Sequence, residues 1–263
     1  MEAVNVTKGS SPLVLAQPHS GTWLPDEVRE VLNDEGRALL DTDWRIPELY
    51  EGLVPDASLV RANFSRYVID ANRPPDGASL YPGQNTTGLV PLVTFDDRPI
   101  WHSEPDDVEV ARRLELYHAP YHAALSAELE RVRQQHGFAV LYDCHSIRSN
   151  IPFLFDGTLP DLNIGTNSGA SCAGAIESAV ADACAESSAF TSVLNGRFKG
   201  GWTTRHYGKP ADNIHAVQME IAQSAYLESE APPFALSSEK SAELRALLAR
   251  VFDAIQSTLG DLK

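Results

Sequence analysis

The chain has 263 residues, a length that one α/β domain can reach, and we expect residues 1–263 to form a single domain. Its 36 acidic residues outnumber its 21 basic residues, and the net charge of −15 disfavours nucleic acids and anionic membrane surfaces as partners. Because neither a signal peptide nor a membrane-spanning apolar run is visible, we expect a cytoplasmic protein. Three well-separated cysteines, Cys144, Cys172 and Cys184, are expected to be buried, reduced thiols.

The first hundred residues predict short strands, one helix and a long loop. Residues 13–16 form an apolar run before a polar turn, which is typical of a buried strand. We expect a helix near 26–33 and further short strands at 59–61 and 67–70. Residues 71–103 are rich in proline and glycine, and a loop of that length in a compact domain is usually functional.

A long helix is predicted next, with Ser103 or Asp106 as its N-cap. Apolar residues recur at helical spacing from Val110 to Val132, so one face of this helix should pack on the core. Pro120 should kink or split the helix, and Gly137 should end it.

The remaining segments continue the alternation of strands and helices. They are apolar runs at 138–141, 162–164 and 215–219, a helix near 172–186, a loop rich in glycine and aromatic residues at 195–210, and an amphipathic helix from Ser237 or Ser238 to Gly260. This order predicts an α/β fold with a mixed, mostly parallel central sheet flanked by helices.

Three apolar runs lead to residues suited to metal or proton chemistry, namely His19, His145 and Glu220. In open α/β sheets, ligands bind outside the carboxyl ends of the strands. Catalytic zinc usually takes three protein ligands, so His19 and His145 need a third. Asp43 is our first choice and Asp41 the alternative, because spacing does not distinguish them.

Glu220 lies in an otherwise apolar strand, where a buried acid is costly unless it is paired or used. Desolvation raises its proton affinity, which suits a general base, whereas the alternative is a structural ion pair with an arginine. Asp143 should point to the same side of its strand as His145 and orient a histidine. Cys144 should face the opposite side, which makes a cysteine nucleophile paired with His145 geometrically poor.

Arginines in loops indicate an anionic small-molecule substrate. Arg73 and Arg205 lie in segments rich in proline or glycine, and Arg66 is a third possibility. The planar guanidinium group suits bidentate binding of a carboxylate. Such groups would have to overcome the acidic field of the whole chain.

Seven motifs in order resemble the N-formylglutamate amidohydrolase (deformylase) family over residues 17–222. They are QPHSG at 17–21, DTDW at 41–44, DANRPP at 70–75, SLYPGQNTTGL at 79–89, DCHS at 143–146, KGGWTTRHYG at 199–208 and QMEI at 218–221. The resemblance implies a zinc-carboxypeptidase-like (phosphorylase/hydrolase-like) fold with an eight-stranded mixed sheet. In zinc carboxypeptidases a glutamate ligand follows the first histidine by three residues, whereas Thr22 stands there in this chain.

The same resemblance implies zinc-dependent hydrolysis of N-formyl-L-glutamate to formate and L-glutamate, a step of histidine degradation. One divalent ion would be held by His19, Asp43 and His145, and Glu220 would carry the proton. The substrate-binding residues would be Asn72, Arg73, Arg205 and His206. Two alternatives stay open, an amidase for another N-acyl amino acid and a non-catalytic metal- or carboxylate-binding protein. The native metal and the oligomeric state are not predicted.

Overall fold

A seven-stranded sheet forms the centre of the computed structural model, which describes residues 2–79, 83 and 85–262. The strands are β1 (Val4–Thr7), β2 (Leu13–Gln17), β3 (Ser58–Ala62), β4 (Ala139–Ile147), β5 (Leu162–Gly165), β6 (Ser192–Leu194) and β7 (Ile214–Ala222). They are arranged in the order β1-β3-β2-β4-β7-β5-β6. The central strands β3, β2, β4 and β7 are parallel, while β1 and β5 run antiparallel to their neighbours β3 and β7. The prediction of a mixed, mostly parallel sheet is confirmed.

Helices cover both faces of this sheet. They are α1 (Asp26–Val31), α2 (Asp34–Arg37), α3 (Ile46–Tyr50), α4 (Asp107–Arg113), α5 (Ala119–His136), α6 (Gly174–Ala185), α7 (Trp202–Tyr207) and α8 (Ser238–Thr258). One buried cluster joins one face of the sheet to α3, α6 and α8, and a second joins the other face to α1, α5 and α7. None of the helices within the described ranges is both long and apolar enough to cross a bilayer.

The prediction of a strand at 67–70 was wrong. In the structure this segment forms a turn, in which Val68 N donates to Ser65 O (2.9 Å) and Tyr67 N donates to Ser65 Oγ (3.2 Å). Its apolar side chains are buried without pairing to a neighbouring strand, so burial alone explains the apolar run. The sheet formed by the described residues has seven strands, not the eight that the family resemblance implied.

The long predicted helix is present, with a π-helical turn in place of a simple kink. Asp106 is the N-cap, because its side chain accepts from Glu109 N (2.9 Å). The π-helical turn spans Leu114–His118 and lies directly before Pro120, which has no N–H to donate to the preceding turn. Gly137 ends α5 with a φ of 88°, as predicted.

The structure differs from two predictions for the C-terminal half, which concern the 195–210 loop and the end of the last helix. The 195–210 segment contains the short helix α7 and is therefore not wholly a loop. The last helix begins at Ser238 with Ser237 as its N-cap and ends at Thr258, and a 3₁₀ turn continues past Gly260. All three cysteines are free and buried, as expected. In the family motif at 79–89, residues Leu80, Tyr81, Pro82 and Gln84 lie outside the described residues.

The buried guanidinium of Arg113 provides a test of how α4 is held against the core. Arg113 is 1% exposed, donates from Nε to Glu109 Oε1 (2.8 Å) and lies over the Trp101 ring. We expect Glu109→Gln to lower the free energy of unfolding at pH 7 by about 1–2 kcal/mol, because Arg113 loses a charged acceptor that is itself partly screened by solvent. Urea denaturation of wild type and variant measures this difference.

The contact between Glu109 and Arg113 also determines how the difference in unfolding free energy between wild type and Glu109→Gln depends on pH. The hydrogen bond from Arg112, together with that from Arg113, outweighs burial and lowers the pKa of Glu109 from 4.5 to about 2. A carboxyl with a lowered pKa contributes stability above its unfolded value and loses it as the pH falls through its folded value. The difference should therefore be full at pH 7 and shrink between pH 4.5 and 2. Glu104→Gln, at an exposed position before α4, is the control, and an equal loss in both variants would contradict this assignment.

Candidate active site

Parallel pairing of β2, β4 and β7 brings the predicted site residues to one edge of the sheet. Ala16 of β2 is paired with Asp143 of β4, and His145 of β4 is paired with Glu220 of β7. His19 follows β2 by two residues. The carboxyl ends of three adjacent strands thus deliver both histidines and the glutamate to the same place, as expected for this sheet type.

His19, Asp43 and His145 are buried and offer ligand atoms that lie within 4.8 Å of one another. Asp43 Oδ2 lies 3.1 Å from His145 Nδ1 and 3.8 Å from His19 Nδ1. The backbone places Asp43 here, because its N–H donates to the carbonyl oxygen of His19 (3.1 Å). A contact between residues distant in sequence therefore completes the cluster.

The structure separates the two aspartates that the sequence could not distinguish. Asp41 Oδ2 accepts hydrogen bonds from the Tyr67 hydroxyl (2.7 Å) and from Phe95 N (2.8 Å). Burial, opposed by these hydrogen bonds, raises the pKa of Asp41. Asp41 therefore holds the surrounding loops together, and Asp43 is the acid that lies with His19 and His145.

A carboxylate behind His19 fixes the orientation of its ring. Asp70 Oδ1 lies 2.7 Å from His19 Nε2, and Asp70 Oδ2 accepts from Arg66 Nη2 (2.7 Å). Burial opposes ionisation of Asp70, but His19 and Arg66 outweigh it and hold the pKa of Asp70 well below its usual value. With Nε2 engaged by Asp70, His19 turns Nδ1 towards Asp43, the arrangement in which metal-binding histidines are commonly held. Sequence reasoning did not assign this role to Asp70.

His145 is supported in the same way, by Asp143. Its Nε2 lies 3.0 Å from Asp143 Oδ1, and Asp143 Oδ2 accepts from Thr204 Oγ1 (3.1 Å). Asp143 and His145 thus share one side of β4, as predicted. Cys144 packs in the opposite layer with α6 and α8, which removes it as a partner of His145.

This donor set fits a divalent ion such as Zn²⁺. Two imidazole nitrogens and one carboxylate are a common protein ligand set for catalytic zinc, and bonds of about 2 Å separate such atoms by roughly 3–4 Å. Asp43 Oδ1 is buried and has no hydrogen-bond partner among the described residues, and the Arg66 guanidinium lies 4.0 Å from it, beyond hydrogen-bond distance. A buried carboxylate oxygen without a donor is costly, and a cation at this position would compensate it.

Glu220 lies beside the cluster in a buried position that increases its proton affinity. It is 7% exposed, and Gln218 Nε2 donates to its Oε2 (2.9 Å). Burial raises the pKa of Glu220 from 4.5 to about 7. Arg66 pairs with Asp70 (2.7 Å) and lies 4.0 Å from Asp43, and among the described residues it forms no ion pair with Glu220.

One cleft joins the histidine cluster to several groups suited to bind a substrate. Its walls include His19, Arg66, Asn72, Arg73, Phe95, His145, Arg197, Phe198, Gly201, Gln218 and Glu220. Arg73 is anchored by Nε donating to Thr87 O (2.9 Å) and by Nη2 donating to Thr87 Oγ1 (3.1 Å). Arg66 also lines the cleft, but its charge is already engaged by Asp70.

Arg197 is a cleft residue that sequence reasoning missed. Its Nε donates to Leu154 O (3.1 Å), and its guanidinium lies over the Phe198 ring. The available signal was its position two residues before the family motif at 199–208, inside the glycine-rich segment already singled out. The structure thus adds a second loop arginine to the cleft that holds Arg73.

Two predicted substrate-binding residues, Arg205 and His206, are not among the described residues that line this cleft, and their role stays a prediction. Arg205 is half-buried on α7, where its Nε donates to Gly200 O (2.8 Å). His206 is exposed, stacks on Trp202 at 4.4 Å and lines a different surface groove.

The position directly before α7, Gly201, requires a glycine because the Asn72 side chain packs against its backbone. A Cβ atom at this position would lie 2.2 Å from the Asn72 amide nitrogen. The Gly201 N–H also donates to Gln218 Oε1 (2.6 Å), and Gln218 in turn donates to Glu220. The missing side chain therefore lets the Asn72 amide pack against the Gly201 backbone, whose N–H holds Gln218.

Comparisons with known proteins agree with the resemblance found in the sequence. A profile of the N-formylglutamate amidohydrolase family matches residues 11–227. The chain is 48% identical over 252 residues to N-formylglutamate deformylase of Pseudomonas putida, covering 94% of this chain and 93% of that protein. It is 44% identical over 257 residues to N-formylglutamate deformylase of Pseudomonas aeruginosa, covering 97% and 96%. The crystal structure of N-formylglutamate amidohydrolase from Ralstonia eutropha JMP134 matches with a TM-score of 0.81 at 26% identity, covering 97% of each chain. The chain belongs to the N-formylglutamate amidohydrolase family.

Proposed function

We propose that this protein is a metal-dependent hydrolase that converts N-formyl-L-glutamate and water into formate and L-glutamate, as a cytoplasmic step of histidine degradation. The observation that carries the proposal is the meeting of a His-Asp-His cluster, a buried glutamate and two loop arginines in one cleft. The names of the relatives at 48% and 44% identity support the choice of substrate.

His19, Asp43 and His145 would hold the metal ion, with Asp70 and Asp143 orienting the two imidazole rings. A divalent ion such as Zn²⁺ supplies Lewis acidity, which polarises a carbonyl group and makes water more acidic. The protein places these ligands on a strand and on short turns joined by the Asp43–His19 backbone hydrogen bond. That rigidity keeps the cluster in place while the substrate enters and leaves.

Glu220 moves the protons of the hydrolysis. Water adds to the formyl carbon and the carbon–nitrogen bond breaks. One proton of the water passes to the departing nitrogen, and the proton of the resulting formic acid follows to the same amine, which leaves formate and the ammonium form of L-glutamate. A pKa of about 7 lets Glu220 accept the proton of the water and release it at neutral pH. Gln218 fixes Oε2 of Glu220, and we assign the transfer to Oε1.

Arg73 and Arg197 would bind the two carboxylates of the substrate. Both line the cleft, and both guanidinium groups are held by hydrogen bonds to neighbouring loops. The net charge of −15 repels a dianion at long range, so local arginines are needed to bind one. Asn72, which also lines the cleft, adds a polar amide beside Arg73.

Metal binding can be tested without relying on turnover. We expect His145→Ala and Asp43→Asn to lose the stoichiometric metal that wild type binds, because each removes one of three ligands. Plasma emission analysis after dialysis against zinc measures metal content. A formate-release assay with and without chelator shows whether turnover requires the metal. His136→Ala, at the far end of α5, is the control. Full metal in the His145 variant would refute the site.

The role of Glu220 predicts a separation of binding from chemistry. Glu220→Gln keeps the size of the side chain but cannot accept a proton, so kcat for formate release should fall roughly 10²–10⁴-fold. Metal content and KM should change little, because Glu220 is neither a ligand nor a predicted carboxylate-binding group. Steady-state kinetics and metal analysis of one preparation measure both. An unchanged kcat would exclude proton transfer by this residue.

Substrate choice can be tested with analogues that lack one charge. Wild type should prefer N-formyl-L-glutamate to N-formyl-L-glutamine, which has a neutral side chain. Arg73→Met and Arg197→Met should each raise KM for the dianion at least tenfold, because a charge-assisted pair is lost. If one of these variants no longer prefers N-formyl-L-glutamate to N-formyl-L-glutamine, the arginine that it lacks is the one that binds the side-chain carboxylate. Arg45→Met, outside this cleft, serves as the control. Better turnover of N-acetyl-L-glutamate or N-formyl-L-aspartate would favour an amidase for a different N-acyl amino acid.

A further inference from the structure

The π-helical turn at Leu114–His118 and the first turn of α5 together present two histidines to the segment that carries Asn72. His118 ends this turn and His122 follows one turn later on α5. Both rings are largely buried, at 3% and 9% exposure, and neither takes part in the proposed metal site. π-helical turns inside α-helices often occur at functional sites, so the contacts of these two rings are candidates for a functional role.

The two histidines hold the carbonyl groups on either side of Asn72. His122 Nε2 donates to Ala71 O (2.8 Å), and His118 Nε2 donates to Arg73 O (3.0 Å). The Tyr207 hydroxyl donates to the His122 carbonyl oxygen (3.1 Å), and its oxygen lies 3.0 Å from His122 Nδ1. Because the Ala71 carbonyl oxygen can only accept a hydrogen bond, the neutral His122 ring carries its proton on Nε2. Burial lowers the pKa of His122 to about 3, so this neutral form persists at physiological pH.

Asn72, between these two carbonyl groups, reaches the active site. Its backbone N–H donates to Asp70 Oδ1 (2.8 Å), and its side-chain oxygen accepts from Thr203 N (2.8 Å). Its amide nitrogen lies 3.1 Å from His145 Nε2. A shift of the 71–73 backbone would therefore move Asn72 against His145 and move Arg73 within the cleft.

We propose that His118 and His122 are positioning residues that fix the 71–73 backbone and thereby set the places of Asn72 and Arg73 in the cleft. This role rests on the proposed function, since it concerns the substrate side of that site. Each metal-binding ring is held directly by its own carboxylate, His19 by Asp70 and His145 by Asp143, and Asn72 adds only secondary contacts, to Asp70 Oδ1 and His145 Nε2. Loss of the histidine contacts should therefore impair the use of substrate more than the retention of metal.

The alternative is that the two rings only fill space. His122 packs edge-on against Trp202 at 4.4 Å, and His118 lies 5.5 Å from the same ring. Phenylalanine preserves an aromatic ring but removes the donor, whereas glutamine removes the ring and retains an N–H group that can take the place of Nε2–H. The two roles therefore predict opposite rankings of these variants.

The experiment compares His118→Phe, His118→Gln, His122→Phe and His122→Gln with wild type, using kcat and KM for N-formyl-L-glutamate, metal content and hydrogen exchange of a peptide covering 70–75. For the phenylalanine variants we expect kcat/KM to fall roughly 10–100-fold with a raised KM, together with faster exchange of that peptide and unchanged metal content. The glutamine variants should stay within about threefold of wild type, as expected when the hydrogen bond is retained. His136→Phe, at the end of the same helix, is the control.

Phenylalanine variants that match or exceed the glutamine variants in kcat/KM would overturn the proposal, as would unchanged exchange of the 70–75 peptide. If the phenylalanine variants do not fold, Tyr207→Phe decides for His122, because it removes the hydroxyl that holds this residue at Nδ1 and at its carbonyl oxygen. That variant should show faster exchange of the same peptide, and unchanged exchange would refute the proposal. If wild type does not release formate, the proposed function is refuted. Hydrogen exchange of the 70–75 peptide would still test whether His118 and His122 fix this backbone.

Discussion

The burial of negative charge is the constraint around which this site is organised. Asp43, Asp70 and Asp143 are each no more than 1% exposed, and an ionised carboxylate in such a position is very costly unless it is compensated. Asp70 is compensated by Arg66 and His19, which leaves Asp43 and Asp143 beside His145. The loops and strands around them are arranged to supply hydrogen bonds and positive charge to these three groups. A divalent cation bound by His19, Asp43 and His145, as we propose, would add positive charge to the same balance.

The sequence predicted the part of the site that depends on strand ends. His19, His145 and Glu220 were found because parallel strands deliver their carboxyl ends to one edge, which periodicity alone reveals. The choice between Asp41 and Asp43 depended on the hydrogen bond from Asp43 N to His19 O, a contact between distant residues that no local pattern encodes. The support of His19 by Asp70 was missed for a similar reason, because the predicted strand there is a turn.

The direction of side chains in the loops was likewise not predictable from local sequence. Arg205 and His206 belong to a recognisable motif, yet α7 turns His206 onto Trp202 and away from the cleft, while Arg197, outside the motif, lines it. Which way a side chain points in a glycine-rich segment is decided by close packing such as that of Gly201 on Asn72. The long helix was predicted in extent and in its buried face, but its π-helical turn was not, since Pro120 indicated only an interruption.

The three buried thiols have a consequence for how the protein withstands peroxide. Burial raises the pKa of Cys172 and of Cys184 to about 12, and it raises that of Cys144 well above its usual value. Oxidants attack the thiolate form of accessible cysteines, and here that form is suppressed and enclosed. The proposed ligands are imidazole and carboxylate groups, so the metal site has no sulfur that could be oxidised. A hydrolase built in this way offers an oxidant neither a thiolate nucleophile nor a thiolate ligand in its cleft.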